Sequence, residues 1–249
     1  MKILVALKQV PDTETKVKVA ADGRSLDPTD VKWITSPYDE YALEEAIRLK
    51  ESAQAEVTVV TLGDEKGKDV LRNALALGAD NAILLKGDGQ GDAFAVASAL
   101  AAFAKDKGFD LILAGNKGMG GDNSAVGPML AELLGWAQAN VVVKLEITGT
   151  TFRAEREIEG GAEAVEGSLP AVITAQKGLN EPRYASPKGI MAAKKKTIEE
   201  AEATGLPAAS SWSALTLPPT RPEGRKLEGD AATLAKSLMG LLKDEAKVL

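Results

Sequence analysis

Short apolar runs alternate with amphipathic segments over the first 140 residues of the chain. Runs with the length of buried strands occur at 2–6, 57–62, 82–85 and 111–114. Apolar residues recur at helical spacing in the segments 39–52, 67–77, 92–105 and 124–134, and Gly78 and Gly135 close two of them. Strands and helices in alternation predict an α/β fold with right-handed crossovers and a mostly parallel sheet.

Beyond residue 140 the pattern changes to strands separated by glycine-containing turns. The segments 141–147, 152–158, 163–166 and 171–175 predict an antiparallel ribbon that extends the sheet. The last of them, AVITA, is apolar throughout and has the pattern of an interior strand. Pro182, Pro187 and Gly189 then predict an irregular loop.

The end of the chain predicts an arm. Residues 206–229 contain Pro207, Pro218, Pro219 and Pro222 and have the pattern of an extended tail. Asp230 is placed to cap a last helix, whose apolar stripe consists of Leu234, Leu238, Leu241 and Leu242. Spacing alone leaves open whether this stripe packs on its own domain or on a partner chain. We expect a domain over residues 1–196 and an arm over 197–249.

The composition indicates which residue types fill the core and which class of partner is disfavoured. Hydrophobic residues make up 45% of the chain and aromatic residues only 4%, which is typical of an aliphatic core in a helix-covered parallel sheet. A net charge of −6 argues against nucleic acid as the main partner. No apolar run reaches membrane-spanning length, and Lys8 interrupts the N-terminal run. We expect a soluble, unprocessed, cytoplasmic protein.

The chain contains neither cysteine nor histidine. Disulfides, thiolate nucleophiles, Ser-His-Asp triads and the usual zinc, copper and haem ligands are therefore excluded. Asp12, Asp39 and Asp122 are candidate Mg²⁺ ligands or bases, but a turn residue, a helix cap and an acceptor for loop N–H groups are the favoured roles. No catalytic pair and no metal site are predicted, so any chemistry belongs to a bound organic cofactor.

The best candidate for a small-molecule site is the loop GNKGMGGDNSAVG at 115–127. Its glycines allow backbone N–H groups to approach a ligand, and the helix that follows favours an anion at its N-terminus. It follows a strand, where open α/β sheets bind ligands. The pattern is neither a Walker A loop nor a dinucleotide fingerprint, so an ordinary flexible loop is the alternative.

A second candidate surface is the segment LNEPRYASPKGIMAAKKK at 179–196. Ile190 and Met191 stand beside Lys194, Lys195 and Lys196, so apolar anchors and a cationic rim occur together. That combination is typical of a docking surface for an acidic partner. A solvated loop followed by the start of a lysine-rich helix is the alternative.

Several motifs occur in one characteristic order. They are MKILVALKQVPD at the start, SPYDEYALEEAIRLKE at 36–51, LRNALALGAD at 71–80, AGNKGMGGDNSAVGPM at 114–129, REIEGG at 156–161, and NEPRYAS at 180–186 with AKKK after it. Together they resemble the beta subunit of electron transfer flavoproteins over most of residues 1–196. The resemblance implies a three-layer α/β domain of the adenine nucleotide alpha hydrolase type, with an antiparallel extension and a C-terminal arm on an alpha subunit.

In this family the glycine-rich loop wraps the phosphate of a buried AMP, and FAD is shared with the alpha subunit. The resemblance places the nucleotide contacts at Ala6, Ser36, Pro37, Tyr38, Asp39, Leu62, Asn116, Gly118, Gly120, Gly121, Asp122, Asn123, Ser124, Ala125, Val126 and Gly127. Ser36 and Tyr38 replace the usual Asn and Phe. The wording GGDNSAVGP is similar to electron-bifurcating relatives, which hold FAD where others hold AMP, so both nucleotides stay open.

The same resemblance makes 179–196 a partner-recognition loop. The contacts it implies are Tyr184, Pro187, Ile190, Met191, Lys194, Lys195 and Lys196, with Pro187 where the family usually has a leucine anchor. The implied partners are the alpha subunit, flavin dehydrogenases such as acyl-CoA dehydrogenases, and electron transfer flavoprotein quinone oxidoreductase. A nucleotide-binding regulatory protein or ATP-dependent enzyme on the same fold is the alternative, weakened by the absence of a P-loop lysine and an SGGxDS motif.

Overall fold

The computed structural model describes residues 1–89, 91–221 and 223–249. The strands are β1 (Lys2–Ala6), β2 (Gln9–Pro11), β3 (Trp33–Thr35), β4 (Glu56–Gly63), β5 (Asn81–Lys86), β6 (Leu111–Gly115), β7 (Ala137–Thr148), β8 (Thr151–Ile158), β9 (Gly161–Ser168), β10 (Ala171–Ala175) and β11 (Glu199–Glu202). The helices are α1 (Pro37–Ala53), α2 (Lys68–Leu77), α3 (Ala93–Ala104), α4 (Val126–Leu134), α5 (Pro187–Lys195) and α6 (Ala231–Gly240).

The main sheet has nine strands in the order β11-β5-β4-β1-β6-β10-β7-β8-β9. Every pairing from β11 to β7 is parallel, and β8 and β9 add an antiparallel hairpin. β2 and β3 form a separate antiparallel pair. The predicted α/β class, with its mostly parallel sheet and antiparallel extension, is confirmed.

Alternate residues of the central strands fill two separate layers of core, because successive side chains of a strand point to opposite faces. Ile3 and Val5 of β1 pack in one layer with Leu43, Leu71 and other residues of α1 and α2. In the second layer Leu4, the residue between them, packs with Leu100 of α3 and Leu130 of α4. Helices α1 and α2 therefore cover one face of β1, and α3 and α4 cover the other.

β10 corrects the predicted antiparallel ribbon. It lies inside the parallel part of the sheet, between β6 and β7, and all five of its residues are buried. β7 pairs with β10 first and with β8 after a bulge, where Val141 adopts a φ of 65° and donates its N–H to Thr174 Oγ1 at 3.1 Å. The interior strand is confirmed, and its place in the antiparallel ribbon is wrong, because β10 pairs in parallel with β6 and β7 and does not pair with β9.

The irregular loop predicted after β10 is shorter than expected. Residues 187–195 form α5, with Pro187 in the first turn, where its missing N–H costs nothing. Ser186 caps this helix by accepting from the Gly189 N–H at 3.0 Å. A side chain at Gly189 would collide with the Ala76 carbonyl oxygen, so α5 lies close against α2. The loop proper ends at Ser186.

Beyond residue 196 the chain does not leave the domain at once. β11 joins the sheet edge beside β5, and Asp92 Oδ2 then accepts from the Ala209 and Ser210 N–H groups at 2.8 and 2.7 Å. Contacts divide the chain into compact units at Met1–Ala214 and Leu215–Leu249. The division predicted at residue 196 stays a prediction.

The second unit contains α6, followed by a π-helical turn at Leu241–Glu245. Asp230 caps α6 as predicted by accepting from the Thr233 N–H at 2.8 Å. No residue of α6 is buried within this unit. Pro222, predicted to belong to the extended tail, lies outside the described residues. None of the helices in the described ranges is long and apolar enough to span a membrane.

Candidate functional site

A cleft opens where the parallel strands β1, β4 and β6 end, the edge at which open α/β sheets bind ligands. It encloses about 110 Å³, or about 800 Å³ when the adjoining space open to solvent is counted. Residues from three strand ends, the start of α1, the loop after β5, α3, the loop before α4 and the first residue of α4 line it. They are Ala6, Leu7, Lys8, Asp39, Val60, Leu62, Gly89, Gly91, Ala93, Val96, Leu100, Ala114, Gly115, Asn116, Lys117, Gly118, Gly121, Asn123, Ser124, Ala125 and Val126.

Asp39 holds two strand ends together at the cleft. Its Oδ2 accepts from the Lys8 N–H at 2.6 Å, and its Oδ1 accepts from the Gly115 N–H at 2.9 Å. The side chain does not cap α1, which begins earlier with Ser36 as its N-cap, so the predicted capping role is wrong. Burial raises the pKa of Asp39 to about 7, against the opposing effect of the two N–H donors.

The loop before α4 has an unusual backbone. Asp122 and Ser124 adopt φ values of 46° and 50°, and Gly120 adopts 89°, all in the left-handed region. Asn116 starts the loop by donating its N–H to the Ala175 carbonyl at 2.8 Å, which fixes the loop to β10. The loop then enters α4, whose first N–H groups have no acceptor within the helix. The arrangement suits an anion.

Two lysines supply positive charge to the cleft. A side chain at Gly118 would lie 2.8 Å from Lys8 Cδ, so the Lys8 stem lies directly against the loop. Lys117 Nζ is 3.5 Å from Asp122 Oδ1 and 5.5 Å from the Tyr38 ring centroid. Among the described residues Lys8 makes no salt bridge. Sequence reasoning missed Lys8, although it is the first cation after β1, whereas Lys117 lies within the loop predicted at 115–127.

The loop after β5 was also missed. Gly89 and Gly91 line the cleft, and a side chain at Gly89 would collide with the Leu62 carbonyl oxygen of β4. The glycine-rich wording KGDGQGD directly after a buried strand is the signal that could have found this loop. Close backbone approach is therefore a property of both loops that face the cleft.

The predicted nucleotide contacts divide into two groups. Ten line the cleft: Ala6, Asp39, Leu62, Asn116, Gly118, Gly121, Asn123, Ser124, Ala125 and Val126. Six do not line it: Ser36, Pro37, Tyr38, Gly120, Asp122 and Gly127. Of these, Gly127 has Thr174 so close that a Cβ would collide with its methyl group, and the buried Ser36 hydroxyl has no hydrogen-bond partner among the described residues.

The remaining candidate carboxylates are engaged by lysines. Asp12 accepts from Lys32 Nζ at 2.7 Å and from the Glu14 N–H at 3.1 Å, and Lys32 lowers its pKa, which fits the predicted turn role. Asp122 pairs with Lys117. No group of three or more acidic side chains in the described part of the chain is arranged to hold a metal ion.

The second candidate site, which we call the docking surface, consists of Tyr184, Ile190 and Met191. Their exposed fractions are 98%, 44% and 68%. Pro187, Lys194 and Lys195 are exposed next to them. Lys196 differs, because its Nζ donates to the Ala79 and Asp80 carbonyls at 2.6 and 3.3 Å. Large apolar side chains this exposed and this close together are typical of an interaction site.

Comparison with known proteins identifies the family. The family model of the electron transfer flavoprotein domain matches residues 25–206. The chain is 43% identical over 260 aligned positions to the electron transfer flavoprotein subunit beta of Bacillus subtilis (strain 168), with both chains covered completely. The chain belongs to the electron transfer flavoprotein beta subunit family.

Other members of the family are nearly as similar. The beta subunit of Bradyrhizobium diazoefficiens is 41% identical over 250 positions, with all of both chains covered. That of Mus musculus is 37% identical over 245 positions, covering 95% of this chain and 96% of its own. The resemblance inferred from the ordered motifs is confirmed, and it extends past residue 196 to the end of the chain.

Proposed function

We propose that this chain is the beta subunit of a heterodimeric electron transfer flavoprotein. It carries electrons from flavin dehydrogenases, such as acyl-CoA dehydrogenases, to electron transfer flavoprotein quinone oxidoreductase by way of FAD shared with an alpha subunit. The observation that carries the proposal is the cleft, which has an apolar wall, two lysines and two glycine-containing loops in its lining. It occurs in a chain that belongs to this family. The subunit itself acts as a carrier without catalytic residues of its own.

We assign AMP to the cleft. Ala6, Val60, Leu62 and Leu100 offer an apolar wall for the adenine base. The loop 116–125 and the start of α4 offer backbone N–H groups to the phosphate, and Lys8 and Lys117 offset its charge. A flavin supplies the electron-carrying chemistry when it is bound elsewhere in the heterodimer.

The fit rests on features of the chain itself. Glycine at 89 and 118 lets the two loops lie directly against Leu62 and Lys8, where a Cβ would come too close to either neighbour. The enclosed 110 Å³ is smaller than a typical ligand pocket of about 300 Å³ or more, so part of the nucleotide occupies the open side of the cleft. The same open side is where a larger dinucleotide would extend.

The decisive experiment is the nucleotide content of the purified heterodimer. Denaturation followed by nucleotide chromatography is expected to release one FAD and one AMP per heterodimer, and the isolated beta chain is expected to hold adenine nucleotide but no firmly bound flavin. Two FAD and no AMP would assign the electron-bifurcating type instead. An empty cleft would contradict the nucleotide proposal.

Lys8 offers a matched test of the phosphate contact. Lys8→Gln is expected to weaken AMP binding about tenfold, because a charge-assisted contact to the phosphate is lost. Lys2→Gln is the control, since Lys2 is exposed at the opposite end of the same strand. Equal affinity of the two variants in a binding titration would remove Lys8 from the site.

The arm at the end of the chain supports a partner subunit. α6 carries Leu238 and Met239 with exposed fractions of 49% and 56%, and nothing in its own compact unit covers them. We propose that this helix packs on the alpha subunit. Deletion of residues 215–249 is expected to abolish copurification with the alpha chain while the isolated domain still folds, as measured by circular dichroism. Retained copurification would overturn the assignment.

A further inference from the structure

The segment between β10 and α5 has no regular secondary structure, yet side chains fix it to α1 at two points. Asn180 Nδ2 donates to the Tyr41 carbonyl at 3.0 Å and to Glu45 Oε2 at 2.9 Å. Three residues later, Arg183 donates to the carboxylates of Glu44 and Glu51. The next residue is Tyr184, the most exposed member of the docking surface.

Arg183 makes the more extensive of the two attachments. Its Nε and Nη2 donate to Glu44 at 2.8 and 3.1 Å, and its Nη1 and Nη2 donate to Glu51 at 2.6 and 3.0 Å. Its backbone N–H also donates to Glu44 Oε2 at 3.2 Å. Planar guanidinium groups recognise carboxylates in this forked manner, which fixes direction as well as distance.

Glu44 is held in the ionised form although its side chain is only 4% exposed. Burial raises its pKa, but hydrogen bonds from Arg183 and Arg48 together outweigh burial and lower it. The carboxylate therefore stays charged at neutral pH and holds the guanidinium. Because α1 is packed in the core, this contact connects an exposed loop to a rigid element.

The far side of the docking surface is fixed in a similar way. Arg72 Nη1 donates to the carbonyls of Ala193 and Lys196 at 2.5 and 2.6 Å, where α5 ends. Lys196 binds carbonyls at the end of α2, as described above. The docking surface thus lies between two attachments made by cationic side chains, while Tyr184, Ile190 and Met191 themselves stay exposed.

We propose that Arg183 is a positioning residue for partner docking: through Glu44 and Glu51 it holds Tyr184 and the start of α5 in the arrangement that the dehydrogenase binds. The inference rests on the proposed function. Without the guanidinium the Asn180 contacts remain, but residues 181–186 can sample other conformations, and binding must then order them at a cost in free energy. Arg183 does not line the cleft, so we expect it to act on affinity and not on the transfer step.

The test uses the intact heterodimer with an acyl-CoA dehydrogenase reduced by its acyl-CoA substrate, and follows flavin absorbance. Arg183→Ala is expected to raise the half-saturating dehydrogenase concentration about tenfold with an unchanged maximal rate. Arg48→Ala is the matched control. It removes the same charge and another donor to Glu44, at 2.9 Å, but does not contact the loop, so we expect a change of less than about twofold.

Two further variants keep the proposal falsifiable if Arg183→Ala does not fold. Arg183→Lys retains the charge but cannot form forked hydrogen bonds to two carboxylates. Glu51→Gln removes the charge of only the exposed partner. Each variant is expected to raise the half-saturating dehydrogenase concentration about threefold. Effects equal to that of Arg48→Ala, or a loss of maximal rate at unchanged half-saturation, would overturn the positioning role.

Failure of the proposed function has a different signature. Wild-type protein that takes no electrons from the dehydrogenase, or Tyr184→Ala and Met191→Ala variants with unchanged half-saturation, would contradict docking at this surface. Amide hydrogen exchange then tests the positioning role separately. Arg183→Ala is expected to speed exchange at residues 184–190 at least about tenfold over Arg48→Ala, and equal exchange in the two variants would overturn the inference.

Discussion

Two carboxylates of α1, one near its start and one near its middle, hold neighbouring parts of the molecule through different kinds of hydrogen-bond donor. At the start, Asp39 accepts from two backbone N–H groups and joins strand ends at the cleft. Five residues further on, Glu44 accepts from two guanidinium groups and joins the loop that carries the docking surface. Both carboxylates are buried, with exposed fractions of 5% and 4%.

The different partners drive the two carboxylates to different charge states. Backbone donors do not offset the desolvation of Asp39, and its pKa rises to about 7. At Glu44 the guanidinium groups of Arg183 and Arg48 do offset the desolvation, and its pKa falls. Whether a buried carboxylate is ionised therefore depends both on its desolvation and on the charge of its partners. Backbone N–H groups meet Asp39 at the cleft and guanidinium groups meet Glu44 beside the loop of the docking surface, so variants can separate the two.

The largest effect is expected at Gly115, where β6 lies close against α1. Gly115→Ala places a Cβ against Asp39 Oδ1 and 2.7 Å from the Tyr38 carbonyl carbon, so α1 and β6 must move apart. We expect a loss of about 2 to 3 kcal/mol in the free energy of unfolding together with loss of bound nucleotide. Denaturant unfolding and nucleotide chromatography measure both. Unchanged stability would mean that the backbones can separate freely.

Asp39→Asn is expected to have the next largest effect, about 2 kcal/mol at pH 5, because an amide nitrogen then faces a backbone donor. The wild-type pKa is raised from 3.8 to about 7 in the folded state. The stability Asp39 contributes is therefore fully present below pH 3.8 and is lost as the pH rises to about 7. The deficit of the variant should shrink between about pH 5 and pH 8 in denaturant titrations. A deficit that grows would contradict the raised pKa.

Glu44→Gln is expected to cost about 1 kcal/mol at pH 7, a value reduced because Arg183 is 34% exposed. The stability deficit of this variant depends on pH with the opposite sign to that of Asp39→Asn. Since the folded pKa of Glu44 is lowered, its stability is present above the ordinary value of 4.5 and is lost as the pH falls through the folded value. The deficit of this variant should disappear on acidification. The same titration as for Asp39→Asn checks it.

Gly121→Ala is expected to change the free energy of unfolding by less than about 0.5 kcal/mol. This glycine also lines the cleft, but no atom of the described residues lies within 4 Å of a Cβ placed there. It is the matched control for Gly115→Ala, with the same substitution in the same site. A large loss of stability would show that the loop, and not only the close approaches, limits side-chain size.

Elements with a strong apolar pattern were predictable from sequence, and elements that depend on a neighbour were not. β1 was predicted with its observed bounds because its residues are buried on both faces of the sheet. β11 was missed because EEAE has no strand pattern; it pairs with β5 beside Lys68 and Lys86, which bind Glu200. The first half of β7 was missed for a similar reason, since AQAN is polar and its partner β10 is distant in the chain.

By itself the sequence determined the fold class, the family and the position of the glycine loop before α4, because apolar periodicity, ordered motifs and glycines are local properties of the chain. Only the tertiary structure decided which group each carboxylate meets. Asp39 reaches Gly115 across 76 positions and Glu44 reaches Arg183 across 139, so sequence spacing carries no information about either contact. Their opposite pKa shifts also arise only in the folded chain, because burial raises the pKa of Asp39 despite its N–H donors, whereas guanidinium groups outweigh burial at Glu44.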